Sequence, residues 1–135
     1  DDVVAEVIDF LSARMDRAVL AGVDRRRIWV DPGIGFGKTA GHNLFLLRHL
    51  GEIRLLGAPV LVGTSRKRFI GALSGGRPPE QRLPGSLASV AAVAVLHGAD
   101  VVRVHDVAEA KDALAVADAI ARAREGGDLW GPPRS

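Results

Sequence analysis

Apolar residues recur at helical spacing near the start of the chain. Val4, Ile8, Leu11, Met15 and Val19 fall on one face, and Gly22 stands where a helix would stop. Ile28 to Val30 reads as a short buried strand. Leu44, Leu47, Leu50 and Ile53 predict a second helix, beginning near His42 or Asn43 and ending before Gly57. Pro59 to Gly63 is a second buried strand, and Phe69 to Leu73 a short helical turn. Ser74 to Gly85, rich in Gly and Pro, reads as a loop. Ser86 is the expected N-cap of a helix through Ala88–Leu96 closed by His97-Gly98. Asp100 to Val104 is the third strand. A last helix runs from Val107 to about Arg124, with Ala110, Leu114, Ala117 and Ile120 or Ala121 on one face. The domain is thus expected to occupy residues 1–125, with 126–135, which lacks periodicity, a disordered tail.

Buried strands alternating with helices argue for an α/β fold with parallel strands, adjacent and in chain order with Val60–Val62 in the middle. The polar residues then fall in a telling place. Asp31 follows the first strand, Thr64-Ser65-Arg66-Lys67 the second, and Arg103, His105 and Asp106 end the third. All three clusters lie at carboxyl ends of strands, the edge where parallel α/β folds place their sites.

Composition narrows the class. With 135 residues, 47% of them hydrophobic, the chain has the size of one domain with an aliphatic core. No run of about 20 apolar residues exists, so no membrane span is expected, and the start shows no signal-peptide pattern. The absence of cysteine excludes disulfides and thiolate metal sites and fits a cytoplasmic protein. Arg25-Arg26-Arg27 is the densest basic run and lacks interleaved aromatics, which favours a solvated loop over a nucleic-acid patch.

The run Asp31-Pro32-Gly33-Ile34-Gly35-Phe36-Gly37-Lys38-Thr39 is the densest candidate for chemistry. Glycine there lets a ligand approach the backbone. A Walker A loop would need glycine at position 32, which is Pro32, and the spacing G-x-G-x-G misses the dinucleotide fingerprint. On its own the run fits a ligand site or a tight turn capped by Asp31.

Asp31-Pro-Gly-Ile-Gly-Phe-Gly-Lys38 with His42-Asn43, Val62-Gly-Thr-Ser65-Arg66-Lys67 with Phe69-Ile70-Gly71, Gly85-Ser86-Leu87-Ala88, and Arg103-Val104-His105-Asp106-Val107 together resemble, in order, the signatures of the dihydropteroate synthases. The resemblance covers nearly the whole chain. It implies a (β/α)₈ barrel, which needs about 250 residues. This chain then corresponds to the last three βα units, preceded by the helix of the fifth. It further implies condensation of 6-hydroxymethyl-7,8-dihydropterin pyrophosphate with 4-aminobenzoate, giving dihydropteroate and pyrophosphate in folate synthesis. The leaving group departs first in the family reaction, generating a cationic pterin methylene.

The resemblance also implies roles. Asp31 resembles the aspartate that accepts hydrogen bonds from the pterin ring, and a carboxylate suits an aminopyrimidine edge because it takes paired N–H donors. Gly35 and Phe36 resemble the wall beside the aminobenzoate; the competing reading for Phe36 is core packing. Lys67 resembles the lysine that contacts the pterin carbonyl. Arg103 and His105 alternate along a strand and so share a face. They resemble the pair lining the pterin and pyrophosphate pocket; a structural Arg103–Asp106 pair is the competing reading. Where many members carry a serine near the aminobenzoate carboxylate, this chain has Arg68, which can pair with that carboxylate or point into solvent. Lys38 and Arg66 read as solvated or salt-bridged, Ser65 as a cap. No residue here is assigned as catalytic.

The family's magnesium-linked asparagine, its mobile first loops and other pterin-binding residues belong to the upstream half. Mg²⁺ is therefore implied, with ligands outside this chain. A homodimer packed through the last helices is implied too. The isolated chain is expected to be inactive. Two further readings remain at this point: a Rossmann-like module holding an anion at the glycine turn without catalysis, and a degenerate synthase kept as a folding partner.

Overall fold

The computed structural model describes residues 2–123. Helix α1 (Val3–Leu20) begins at Asp2, whose carboxylate accepts from the N–H groups of Val4 and Ala5, both at 3.1 Å. Its apolar stripe buries Val4, Leu11 and Met15, while Val19, expected on the same face, is exposed. The helix closes at Gly22, with Gly22 N–H on the Val19 carbonyl and Val23 N–H on that of Ala18.

Three extended segments follow in parallel, with residues 60–62 in the middle, as expected. Val30 bridges Val60, and β1 (Leu61–Val62) pairs with β2 (Val101–Val102), Leu61 opposite Val101 and Val62 opposite Val102. The strands are shorter than their apolar runs. Ile28–Val30 contributes one bridge, and regular pairing stops at Val102, although Arg103 N–H still reaches the Val62 carbonyl at 2.9 Å. Among the described residues only the middle segment has a hydrogen-bonded neighbour on each side. Asp100 pins the entry to this sheet: one carboxylate oxygen accepts from Val60 N–H at 2.9 Å, the other from Arg54 at 3.0 Å.

The second expected helix exists but starts earlier and is divided. Thr39 caps α2 (Ala40–Arg48) through its hydroxyl oxygen, and α3 (Leu50–Ile53) follows after His49, ending in a 3₁₀ turn at Gly57. Leu46, Leu50 and Ile53 are fully buried with Val60 and Val62, the centre of the core, whereas Leu44 lies exposed. Helix α4 (Arg68–Leu73) matches its expected position.

Helix α5 (Leu83–Val95) corrects the sequence reading. It starts three residues before the proposed cap, so Gly85 lies inside the helix and not in a loop. Pro84 sits in the first turn, where its missing N–H is harmless. Ser86 is a buried helical residue whose hydroxyl donates to the Arg82 carbonyl at 2.8 Å. Gly85 is needed for contact: a Cβ there would stand 2.3 Å from Ile70 Cγ2 on α4. Gly85→Ala is therefore expected to destabilise the fold by about 1–3 kcal/mol through overpacking, read as a lowered Tm; an unchanged Tm would show that α4 and α5 can separate freely.

Helix α6 (Val107–Arg122) packs on α5 through buried Ala110 and Ala117, with Leu114 and Ala121 half-buried. Ile120 points outward, so Ala121 takes that place on the face. Small residues let the two helices approach closely. The expected tail at 126–135 lies outside the described residues.

Candidate functional site at the carboxyl edge of the strands

The loop from Asp31 to Thr39 is folded on itself. Asp31 Oδ1 accepts from Gly33 N–H at 2.8 Å, and Phe36 N–H bonds the Gly33 carbonyl at 3.1 Å. Gly35 N–H donates to Oδ1 of buried Asn43 at 2.7 Å, and Asn43 Nδ2 donates to the Thr39 carbonyl at 2.8 Å. Lys38 closes the loop by donating to the carbonyls of Gly33 and Phe36, at 3.1 and 3.2 Å, so it is neither free in solvent nor ion-paired. Three backbone amides of the turn are thus spent inward. A phosphate-cradling loop needs them facing a ligand, which removes the ground for an anion-binding glycine turn.

Lys67 arrives from the end of β1 and lies across this loop. Its ammonium donates to the Ile34 carbonyl and stands 4.1 Å from the centre of the Phe36 ring. Gly35, at φ +84°, leaves room for the lysine stem; a Cβ there would come within 2.7 Å of Lys67 Cδ. Phe36 is two-thirds exposed in this chain, so it does not pack into the core that these residues form. Burial holds the Lys67 ammonium below its ordinary pKa; Arg103 and Lys38 push the same way, and Asp31 opposes them. Asp31, Lys38, Lys67 and Arg103 therefore share one electrostatic neighbourhood, cationic overall.

The other two clusters are tied to each other. Arg66 adopts the left-handed backbone at φ +59°, unusual for a side chain of its size. Three ties hold it there. Its N–H donates to Ser86 Oγ at 2.9 Å, its carbonyl accepts from Arg82 at 2.9 Å, and its guanidinium pairs with Asp106 at 2.6 Å. That pair holds the Asp106 carboxyl below the usual carboxylate range. Asp106 thus pairs with Arg66 and not with Arg103. Arg103 instead folds over Gly63, where a Cβ would lie 2.9 Å from its guanidinium.

Ser65, buried, is more than a turn cap. Its Oγ accepts from His105 N–H at 3.3 Å and lies 2.9 Å from His105 Nδ1. Ser65 thereby takes up the Nδ1 side of the imidazole, and in the tautomer where the hydroxyl is the donor the ring proton sits on Nε2. Arg68 opens α4 exposed, beside a hollow of about 290 Å³ shared with Gly35, Lys38 and Asn43. Asp31 and Phe36 also border a hollow of about 650 Å³ against α1.

The structure therefore gathers Asp31, Gly35, Phe36, Lys67 and Arg103 at one edge, with His105 and Arg68 at its flanks. Two supporting contacts were only partly legible in the sequence: the role of Asn43 and the partner of Arg66. Asn43 was visible only as part of a signature, and the Arg66–Asp106 tie joins positions 40 apart, beyond any local pattern. Among the described residues no three or more His, Cys, Asp or Glu are grouped as a metal site. No described helix is long and apolar enough to cross a membrane.

Comparison with known proteins agrees with this geometry. The family described as pterin binding enzyme matches residues 1–105. Dihydropteroate synthase of Mycobacterium leprae is 50% identical, over 87% of this chain and 43% of that protein. The Xanthomonas albilineans dihydropteroate synthase solved with 4-aminobenzoic acid superposes with a TM-score of 0.87 at 51% identity, over 92% of this chain and 45% of the other. The Yersinia pestis enzyme in a sulfonamide drug complex gives 0.85 at 40% identity, over 89% of this chain and 43% of the other. The chain spans less than half the length of these relatives.

Proposed function

Because the chain belongs to the pterin binding enzyme family, we propose that it forms the C-terminal portion of a dihydropteroate synthase. In this reading residues 1–125 are the last three βα units of a (β/α)₈ barrel with the helix that precedes them, and the upstream half completes the pocket. The observation that carries the reading is the convergence of Asp31, Lys67 and Arg103 at one strand edge, around a lysine that feels the other two charges.

Asp31 accepts the paired N–H donors of the aminopyrimidine edge, and Lys67 donates to the pterin carbonyl. Arg103, permanently charged, and Nε2–H of His105 hold the pyrophosphate. As the C–O bond to the methylene breaks, the electron pair leaves with the pyrophosphate, and the Arg103 guanidinium and the His105 N–H donor stabilise the charge it gains. The aminobenzoate lies against Gly35 and Phe36 with its carboxylate toward Arg68. Its amine forms the new C–N bond to the methylene, and the proton it then carries passes to solvent. Mg²⁺, when bound, would offset pyrophosphate charge; its ligands belong upstream. The working enzyme is a cytoplasmic homodimer in this reading, a contact that exposed Val95, Leu96, Val116 and Ile120 around α5 and α6 would support.

The test is a paired titration of the complete enzyme. Arg103→Ala and His105→Ala are expected to lose about 10- to 100-fold in affinity for dihydropterin pyrophosphate and for free pyrophosphate, and less for a pterin without phosphates. Arg103 can also stack on the ring, so His105→Ala is expected to be the more selective. Pyrophosphate binding unchanged in His105→Ala would make the histidine a structural partner of Ser65 and withdraw its phosphate role.

A further inference from the structure

The wall beside Lys67 is made by a loop with little intrinsic stiffness, since Gly33, Gly35 and Gly37 all sit at positive φ. Residue 35 decides the geometry of that wall. It seats the Lys67 stem, its predecessor supplies the carbonyl that takes the ammonium, and its successor is the ring beneath that ammonium. The loop's own ties are at Gly33, Phe36 and Lys38. The bond that fixes Gly35 itself comes from α2, where Asn43 is 3% exposed and uses both ends of its amide, Oδ1 toward Gly35 and Nδ2 toward Thr39. The same amide thereby ties the loop tip to the residue that caps α2.

We propose that Asn43 is a positioning residue for the amine substrate: through the Gly35 N–H it sets the Gly35–Phe36 wall. The proposal rests on the synthase reading above. It predicts a one-sided effect. Asp31 holds its own turn through Gly33 and the Lys67 ammonium is tied to the Ile34 carbonyl, so the pterin end depends on Asn43 far less than the aminobenzoate end, whose wall is Gly35 and Phe36.

The experiment uses the complete enzyme with Asn43→Ala and Asn43→Asp. Asp keeps the acceptor for Gly35 and loses the donor to Thr39, so it is the partial rescue. For Asn43→Ala, KM for aminobenzoate is expected to rise about tenfold while KM for dihydropterin pyrophosphate stays within about twofold. Asn43→Asp is expected to fall between Asn43→Ala and the parent. Hydrogen exchange at the Gly35 amide is expected to speed up in Asn43→Ala and much less in Asn43→Asp. Calorimetric titration with 4-aminobenzoate, a dihydropterin analogue being present, reads the same order without turnover. If the parent makes no dihydropteroate yet this affinity order holds, the synthase reading fails and the role of Asn43 stands. Both KM values rising together, or Tm falling with both unchanged, overturns the proposal, as does a Gly35 amide indifferent to Asn43→Ala.

Discussion

Given 6-hydroxymethyl-7,8-dihydropterin pyrophosphate, 4-aminobenzoate and magnesium, the 135-residue chain alone is expected to form no dihydropteroate. The chain covers 43–45% of the relatives named above. Its three parallel segments leave two open edges, so the pocket has one side. Holding two reactants and a leaving group in line can supply about 7–11 kcal/mol of barrier reduction, and that term requires the whole enclosure. The charges gathered here, Lys67 and Arg103 above all, can still attract pyrophosphate weakly. Chromatographic detection of product over hours of incubation is the check. Clear turnover by the purified chain would mean that the opposite wall is dispensable.

The second large effect belongs to Asp31. In the complete enzyme, Asp31→Asn is expected to weaken binding of a dihydropterin analogue by about 10- to 100-fold, the worth of a charge-assisted hydrogen bond, with little change in Tm. The structure makes this substitution selective. The turn uses Oδ1, bonded to Gly33 N–H, and an asparagine carbonyl oxygen fills that role equally. What the variant loses is the charge and one acceptor, the features an aminopyrimidine edge requires. Calorimetry and thermal melting of the two proteins decide the matter. Unchanged affinity with a large fall in Tm would mean that Asp31 serves only the turn.

Much of this arrangement could be read from the residue pattern, for physical reasons that can be named. The 3.6-residue period of Val4, Leu11 and Met15 reports a buried stripe, and short aliphatic runs between helices report parallel strands in chain order. Strand lengths were overestimated because apolar runs record burial, whereas pairing also requires a neighbouring strand. Helix α5 starts earlier than its residue pattern predicts because Pro84 and Gly85 signal a break locally. One is tolerated at a helix start, and the other is required by Ile70 on a different helix. The site followed the same division. Asp31, Lys67, Arg103 and His105 belong to recognisable runs at strand ends. The groups that aim them do not: Ser65 under His105, Asp106 on Arg66 and Asn43 on Gly35 act across 8 to 40 residues. Each is a polar pair closed by the fold, and nothing in local periodicity encodes it. Phe36 shows the limit most simply. A lone aromatic is compatible with core or surface, and its place beneath the Lys67 ammonium comes only from the fold.

The central claim is that this chain supplies one wall of a synthase pocket whose other wall lies upstream. The most direct measurement joins residues 1–135 to the N-terminal half of the Xanthomonas albilineans relative, 51% identical over the shared part, and assays dihydropteroate formation beside the bare chain. The account predicts product from the folded hybrid and none from the bare chain. A folded hybrid that binds the dihydropterin and still forms no dihydropteroate would contradict it.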